Sequence, residues 1–195
     1  LWQADLPGLE LFQAQLFHHR FNKHFHESYT IGLNEAGRGC SQHRGENQVH
    51  YPGSYKLITP GDMRTGQVAS AEGWTFRNLY IDLSLVEQVL AQLEWPRAEL
   101  PYFVEPVTWA PDLTPLFHQL FDALNTPNGL LRQQSLLLDL LSHLFRHYAE
   151  RPVALKPLKP ESKAIQQART YLEAHYAQNI SIETLAQQQN LRPNY

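Results

Sequence analysis

The sequence predicts an α+β protein in which a small β-barrel is followed by an antiparallel pair of helices, a proline-rich linker and a truncated helix-turn-helix. Three observations predict this order. Short β-rich runs alternate with turn residues up to position 83, leucine-rich stripes at helical spacing follow, and three prolines in ten residues separate them from a last helical pattern. We therefore divide the chain into a barrel (1–83), a helical region (84–150), a linker (151–161) and the N-terminal part of a helix-turn-helix domain (162–195).

The barrel prediction rests on short apolar runs that lie between turn residues. Runs such as 29–33 are bounded by Gly-, Pro- and Asn-containing turns, at the spacing of roughly 8–12 residues that small sandwiches and barrels need. The longest run, 75–83, places Phe76, Asn78 and Tyr80 on one face, because successive side chains of a strand point to opposite faces. One strand of the predicted barrel thus groups polar and aromatic side chains on a common face.

Three helices are predicted between residues 84 and 150. Ser84 and Glu87 have the spacing of a capping box and are expected to start the first helix. The carboxylate of Asp112 is expected to cap the second helix, since aspartate accepts hydrogen bonds from the free amides at a helix N-terminus. The third helix is expected to span 130–148, and the short connection before it predicts an antiparallel pair.

The third helix is unusually rich in leucine. Its central leucines are Leu136, Leu137, Leu138, Leu140, Leu141 and Leu144. A single buried stripe does not account for all of them. Either the helix lies between the barrel and a neighbouring helix, or the outer face of the pair binds a second subunit. We favour the second interpretation and expect a homodimer through residues 112–148.

The segment after the linker has the outline of a helix-turn-helix. Ser181 suits the N-cap of a short helix, Ala186 the close crossing of two helices, and Asn190 the left-handed turn between them. Pro193 suits the first turn of the next helix. A helical hairpin with an Asn turn is the alternative interpretation of this pattern. The candidate DNA contacts at the start of the second helix are Arg192, Asn194 and Tyr195.

Charge and composition restrict the possible partners. Residues 1–150 hold 10 Lys and Arg against 16 Asp and Glu, while 151–195 hold 6 against 3, so the tail suits an anionic partner such as nucleic acid. No apolar run approaches the roughly 20 residues that span a bilayer, and the first residues lack a secretory layout. A single cysteine, Cys40, excludes an internal disulfide. We expect a cytoplasmic protein with no membrane partner.

The ordered motifs resemble those of the AraC family of bacterial transcription regulators. The string 180–186, Ile-Ser-Ile-Glu-Thr-Leu-Ala, and the helix before it resemble the opening of the AraC-type DNA-binding domain. Asn190 and Arg192 replace the glycine and the Ser or Thr that are usual there. The segments 24–27, His-Phe-His-Glu, and 73–80, with Pro-Gly turns between them, are similar to the family's sensor domain, a cupin-like barrel. The resemblance covers nearly the whole chain, and the order of the motifs makes it specific.

The resemblance implies an effector site inside the barrel. Carried over by position, the expected ligand-binding residues are His24, His26, Arg64, Trp74, Phe76, Asn78 and Tyr80. Arg64 would offer charge or paired hydrogen bonds to a carboxylate or hydroxyls, and the aromatic residues would offer a stacking wall. An alternative stays open, in which His24, His26 and Arg64 face only solvent. The apolar segment before residue 12 is expected to fold over the mouth of the barrel, as N-terminal arms do in some relatives.

His24 and His26 are two positions apart and are expected to lie on the same face of a strand. This pair also raises the alternative of a metal-dependent cupin enzyme, an isomerase or a dioxygenase. Such enzymes add a glutamate and a later histidine to the pair. The expected glutamate is missing, and Arg64 stands where the later histidine is expected, although a guanidinium cannot ligate a divalent cation. Nothing in the spacing of His43 and His50 suggests that they substitute. We therefore expect no metal, no cofactor and no catalytic residue.

The sequence as a whole predicts an effector-responsive transcription regulator. A small polar metabolite is expected to bind in the barrel and to shift the balance between two arrangements of the domains. The full-length protein is expected to bind operator DNA through a helix-turn-helix domain, most of which would follow residue 195. The rival interpretations are the metal-dependent cupin enzyme and a ligand-binding module without a role in DNA binding.

Overall fold

The computed structural model describes residues 2–3, 6–93, 100–126, 129–149, 163–175 and 184–185. The chain divides into two compact units, one ending at Pro152 and the other beginning at Val153. The described part of the first unit contains antiparallel sheets with helices on one side. The α+β fold predicted from the sequence is confirmed.

In the described part of the first unit, ten strands build two antiparallel sheets. They are β1 (Trp2–Gln3), β2 (Leu9–Leu16), β3 (Arg20–His24), β4 (Tyr29–Gly37), β5 (Gly39–His43), β6 (Glu46–His50), β7 (Ser54–Ile58), β8 (Arg64–Val68), β9 (Trp74–Ile81) and β10 (Val107–Trp109). The larger sheet has the order β1-β2-β9-β4-β7-β10, and the smaller sheet has the order β3-β8-β5-β6. The β-rich character predicted for the first 83 residues is therefore confirmed.

Strand β4 lies between β9 and β7 in the larger sheet. Ile31 of β4 stands opposite both Leu79 of β9 and Leu57 of β7, and all three side chains are buried in one apolar core. The intervening residues of these strands point to the other side of the sheet, because side chains alternate along a strand. The larger sheet therefore has one apolar face and one face that turns toward the smaller sheet.

Three helices cover the apolar face: α1 (Leu83–Gln92), α2 (Thr114–Leu124) and α3 (Leu130–His147). Aromatic side chains join them to the sheet. The ring of Phe117 on α2 lies 5.7 Å from that of Tyr55, and the ring of Phe145 on α3 lies 6.0 Å from that of Tyr29. Packing of helices against one sheet face gives this unit a two-layered core on that side.

Both predicted helix caps are wrong. The residue before α1 is Asp82, not Ser84, and no side chain caps this helix, because the chain leaves β9 extended at Asp82 and turns directly into the helix. Asp112 belongs to a 3-10 turn, Pro111–Leu113, that precedes α2. Its carboxylate instead accepts a hydrogen bond from the Tyr148 hydroxyl, which connects the start of α2 with the end of α3.

The central leucines of α3 divide into buried and partly buried groups. The buried ones are Leu137, Leu140, Leu141 and Leu144, and the partly buried ones packed against the core are Leu136 and Leu138. A helix that lies between a sheet and a neighbouring helix needs apolar side chains over a wide arc. Packing within one chain therefore explains these leucines, and the homodimer stays a prediction.

Strand β10 was not predicted from the sequence. Val107 of β10 stands opposite Lys56 of β7, so the chain returns to the edge of the larger sheet between α1 and α2. A three-residue strand is too short to show a periodic pattern in the sequence. Because β10 leads into the turn before α2, it connects the helical layer directly to the sheet.

The described part of the second unit is helical. It comprises α4 (Lys163–Ala174) and positions 184 and 185. The linker and the proposed DNA contacts, Arg192, Asn194 and Tyr195, lie outside the described residues, so the helix-turn-helix and the domain boundaries stay predictions. Within the described ranges, no helix has the length and apolar character that crossing a membrane requires.

Candidate ligand-binding site

The space between the two sheets forms a cavity of about 690 Å³. Its wall includes all seven residues predicted to bind a ligand, namely His24, His26, Arg64, Trp74, Phe76, Asn78 and Tyr80. Four of them are alternate residues of β9, which therefore share one face of the strand. The alternative in which the two histidines and the arginine face only solvent is wrong. The role of the seven residues in ligand binding stays a prediction.

Trp74 is fixed in the cavity wall by its neighbours. Its Nε1 donates a hydrogen bond of 3.0 Å to Oδ1 of Asn34, whose Nδ2 donates one of 2.9 Å to the carbonyl oxygen of Ser54. The imidazole of His50 stacks on the indole, with 5.2 Å between the ring centroids. A Cβ atom at Gly39 would lie 2.3 Å from the indole, so this position has room only for glycine. The indole is therefore a preformed apolar surface for a flat ligand.

Asn78 and Tyr80 add polar groups to the same wall. Nδ2 of Asn78 donates a hydrogen bond of 3.1 Å to the Tyr80 hydroxyl, and the Tyr80 ring lies 4.8 Å from the ring of His26. Oδ1 of Asn78 is buried and accepts no hydrogen bond from any described residue. A Cβ atom at Gly32 of β4 would lie 2.2 Å from this oxygen, so glycine there leaves space for the amide. A ligand donor can bind such an oxygen at little desolvation cost.

Arg64 enters the cavity from β8 and is only 5% exposed. Its Nη2 donates a hydrogen bond of 3.2 Å to Oγ1 of Thr30, while Nη1 is buried with no partner in the part of the chain that the structure describes. Burial lowers the pKa of the guanidinium, and the nearby Tyr80 and Asp62 partly oppose that change. Because arginine starts from a very high pKa, the side chain keeps its charge at neutral pH.

His24 and His26 meet in the wall, although not as a pair on one strand. His24 is the last residue of β3 and His26 lies beyond it, so the prediction of one strand face is wrong for His26. The pairing of β3 with β8 is irregular between Phe21 and His24, and β3 ends at His24, which is paired with Arg64. The two rings are 5.3 Å apart. Burial, then the charge of Arg64, lowers the pKa of His26 to about 4, so its ring is neutral at neutral pH.

Lys56 of β7 was not predicted and is a second cation in the cavity. It is 7% exposed, and its Nζ lies 4.7 Å from the ring centroid of Phe76. Burial, followed by repulsion from Arg64, lowers the pKa of Lys56 to about 7. The sequence contained a signal for this residue, since a lysine inside the apolar run 54–58 is unusual, and all five residues of that strand are buried.

His50 of β6 also lines the cavity, whereas His43 does not. Nε2 of His50 lies 2.9 Å from Oγ of Ser41, and burial, then the charges of nearby cations, lowers the pKa of His50 to about 3. Nε2 of His43 instead lies 3.2 Å from Asp62. The sequence raised these two histidines only as substitute metal ligands. No group of three or more His, Cys, Asp or Glu side chains in the described ranges is arranged to hold a metal ion.

The N-terminal segment is part of the cavity wall rather than a cover over its mouth. Residues 9–16 form β2, which pairs with β9 along its whole length. Leu9 and Leu11 are buried beneath the helices, while Glu10 and Phe12 line the cavity. The expectation of an arm before residue 12 is therefore wrong for this stretch, because its alternation of apolar and polar side chains suits a sheet strand.

The fold and cavity agree with a known class of ligand binding domains. The family described as AraC-like ligand binding domain matches residues 6–141, which is more than half of the chain. The chain belongs to this family. The match includes strands β2 to β10, α1, α2 and most of α3, so the family's domain includes helices as well as the barrel.

One relative and two solved structures are similar to most of this chain. The uncharacterized HTH-type transcriptional regulator YbfI of Bacillus subtilis (strain 168) is 25% identical over 179 residues, which are 92% of this chain and 64% of YbfI. The chain thus spans less than two thirds of that relative. The AraC-like transcriptional activator CuxR aligns at 12% identity with a TM-score of 0.52, over 95% of this chain and 68% of CuxR. ToxT from Vibrio cholerae strain SCE256, with bound unsaturated fatty acid, aligns at 12% identity with a TM-score of 0.53, over 95% of this chain and 69% of ToxT. These two structures share the fold.

Proposed function

We propose that the chain is the sensor part of a transcription regulator that responds to a small polar effector. The observation that supports this proposal is the cavity, which lies within an AraC-like ligand binding domain and is lined by all seven predicted residues. A few polar groups placed among aromatic side chains are typical of sites that bind and orient small molecules. The proposed role of the cavity is binding, and it includes no catalytic step.

The proposal assigns DNA binding to a C-terminal helix-turn-helix domain. The Bacillus subtilis relative is named as an HTH-type regulator. Residues 151–195 carry 6 Lys and Arg against 3 Asp and Glu, a balance that suits a polyanion. The division of the chain into barrel, helical region, linker and helix-turn-helix domain is likewise proposed, and so is a cytoplasmic location. The proposed contacts with operator DNA are Arg192, Asn194 and Tyr195.

We also propose that the protein forms a homodimer through residues 112–148. Leu130 and Leu131 begin α3 and are 50% and 78% exposed. Adjacent exposed leucines can be buried against the same surface of a second copy. Two copies would present two DNA-binding domains to neighbouring sites. Sedimentation of the wild-type chain is expected to give the dimer mass, and Leu131→Glu is expected to give the monomer mass.

Strand β7 provides a connection between the cavity and the helices. Lys56 lines the cavity, while the preceding residue, Tyr55, points to the helical face, where its hydroxyl donates a hydrogen bond of 3.1 Å to Thr114 at the start of α2. β7 also pairs with β10, which leads into α2. A ligand that displaces β7 would therefore displace the start of α2, and occupancy would reach the proposed dimer by this route.

A thermal-shift screen of metabolites with the purified chain tests the proposal. An effector is expected to raise the melting temperature of the wild type and to lose at least about tenfold in affinity in Arg64→Ala and in Asn78→Ala, because each removes a polar contact of the cavity. Arg38→Ala removes an exposed arginine outside the cavity and serves as the matched control. Circular dichroism verifies that each variant is folded.

Gel shifts with the regulator that carries its complete DNA-binding domain form the second stage. The same effector is expected to change operator affinity by fivefold or more, on the order of a typical coupling between two sites. An effector that binds the Arg64 and Asn78 variants as well as it binds the wild type, or that leaves operator affinity unchanged, contradicts the proposal.

A further inference from the structure

Two buried cations, Lys56 and Arg64, share the cavity. Lys56 comes from the larger sheet and Arg64 from the smaller sheet, and both side chains line the same space. Within the described ranges, no carboxylate lies at ion-pair distance from either of them. The acidic residue of the lining, Glu10, is exposed. Burial of cations without an ion-pair partner lowers the stability of a fold, so two such cations facing one cavity from opposite sheets point to a ligand.

The contacts of the two cations within the protein supply no negative charge. Nη2 of Arg64 donates to the Thr30 hydroxyl, and Nη1 has no partner among the residues described. Nζ of Lys56 lies 4.7 Å from the ring centroid of Phe76 and 5.5 Å from that of Trp74. Aromatic faces attract a cation, but more weakly than an anion does in the same buried place. An anion bound between the two side chains would satisfy both.

We propose that the cavity binds a small organic anion, with its carboxylate, phosphate or sulfate group between Lys56 and Arg64 and its flat apolar body against Trp74 and Phe76. Arginine donates paired hydrogen bonds to such a group, and the lysine ammonium adds a point charge. Oδ1 of Asn78 accepts a hydrogen bond from a donor on the ligand body. This inference rests on the proposed sensor function and adds the chemical class of its effector.

The surrounding histidines do not compete with the two cations for the anion. The pKa of His26 is about 4 and that of His50 about 3, in both cases chiefly because of burial. Both rings are therefore neutral near pH 7, where they offer hydrogen bonds and no charge. The charge that selects the ligand thus belongs to Lys56 and Arg64.

Lys56 makes the binding of an anion sensitive to pH. The titratable or charged side chains that share the cavity with it are Glu10, His24, His26, His50, Arg64 and Tyr80. In the free protein the pKa of Lys56 is about 7, and a bound anion favours its charged form. Binding therefore takes up a proton above pH 7, and the affinity is expected to fall by up to about tenfold for each pH unit above 7.

The experiment compares organic acids with neutral analogues that keep the aromatic ring and lack the negative charge. Benzoate, phenylacetate, indole-3-acetate and phenyl phosphate are paired with benzamide, phenylacetamide, indole-3-acetamide and phenol. Binding to the wild-type chain is measured by thermal shift and by titration calorimetry at pH 6.5 and 8.5. At least one acid is expected to bind about tenfold or more tightly than its neutral partner, with weaker binding at the higher pH.

Two variants assign the effect to the cations. Lys56→Met keeps the apolar stem and is expected to fold with a raised melting temperature, because a buried charge is removed. Its affinity for the acid is expected to fall by more than about tenfold, and the dependence of binding on pH is expected to disappear. Arg64→Gln is expected to lower the affinity for the acid to a similar extent. Lys163→Met, which removes an exposed lysine of α4, is the control and is expected to bind like the wild type.

Several outcomes overturn the assignment of an anion. They are equal binding of acids and neutral analogues, failure of every acid to bind, and acid binding that survives Lys56→Met. A neutral analogue that binds the wild type and is lost on Trp74→Ala overturns the anion but leaves the sensor function standing. A metabolite screen in which no compound of any charge stabilises the protein contradicts the sensor function itself.

Discussion

The two faces of the larger sheet are built from the same strands and have opposite chemistry. On β9, Leu79 and Ile81 are buried beneath the helices, while Asn78 and Tyr80 line the cavity. On β7, Lys56 likewise points to the face that lines the cavity. Because adjacent residues of a strand point to opposite faces, one backbone serves a packed core and a polar cavity. Stability and ligand binding are therefore expected to change separately at positions that are one residue apart.

The largest expected effect is on the helical face. Leu79→Ala deletes a fully buried side chain and is expected to lower the free energy of unfolding by about 2–5 kcal/mol, since the surrounding core cannot fill the space. Asn78→Ala, on the neighbouring residue, is expected to change it by less than about 1.5 kcal/mol and to weaken ligand binding instead. Urea denaturation measures both values. Equal losses of stability in the two variants would show that the faces are not independent.

The next effect concerns the space that Gly32 leaves on the cavity face. A Cβ atom there would lie 2.2 Å from Oδ1 of Asn78 and 3.1 Å from Cε of Lys56. Gly32→Ala is therefore expected to push both side chains into the cavity, to lower stability by about 1–3 kcal/mol and to abolish effector binding. Gly129→Ala is the control, because no atom lies within 4 Å of its added methyl group. Unchanged effector affinity in Gly32→Ala would contradict the assigned cavity.

A third effect is the pH dependence of stability that Lys56 imposes. Its pKa is about 7 in the folded protein and 10.5 without burial, so between these values the unfolded chain binds more protons than the folded chain. Stability of the wild type is therefore expected to rise with pH from 7 to 9, by at most about 1.4 kcal/mol per pH unit. Lys56→Met is expected to flatten this part of the profile. Denaturation at pH 7, 8 and 9 is the measurement, and identical slopes would refute the role of Lys56.

The smallest expected effect is that of removing the hydroxyl of Tyr80, a polar group of the cavity wall. Tyr80→Phe removes the hydroxyl that accepts the hydrogen bond from Asn78 and keeps the ring beside His26. It is expected to lower stability by about 0.5–1.5 kcal/mol and to weaken effector binding less than tenfold. Calorimetric titration of the effector gives the second value. A larger loss of affinity than that of Arg64→Ala would place the ligand against Tyr80 rather than beside the cation.

Alternation along a single strand made much of the cavity predictable. Phe76, Asn78 and Tyr80 share a face for any strand that includes them, so the sequence alone groups them. Trp74 and Arg64 were identified through the family resemblance, which relates positions that are distant in sequence. Neither the alternation nor the resemblance requires knowledge of side-chain geometry. The structure places all five of these residues in the wall of one cavity, as expected.

Other residues of the wall were missed for physical reasons. Every side chain of 54–58 is buried, so this run has no polar and apolar alternation that would show which face Lys56 occupies. His50 reaches the wall because the smaller sheet folds over the larger one, which local patterns do not encode. The predicted caps at Ser84 and Asp112 failed because a cap depends on where the chain turns into a helix, and that is decided by the preceding strand or turn.

The indole of Trp74 gives the cavity an intrinsic optical reporter. It is 2% exposed and stacked on His50, whereas Trp109 is 65% exposed on the edge strand β10. Indole emission responds to the polarity and charge of its immediate surroundings. A molecule that enters between the sheets therefore alters the emission of Trp74, which is measured together with that of the other three tryptophans, Trp2, Trp95 and Trp109. Occupancy can be followed in real time with unlabelled protein.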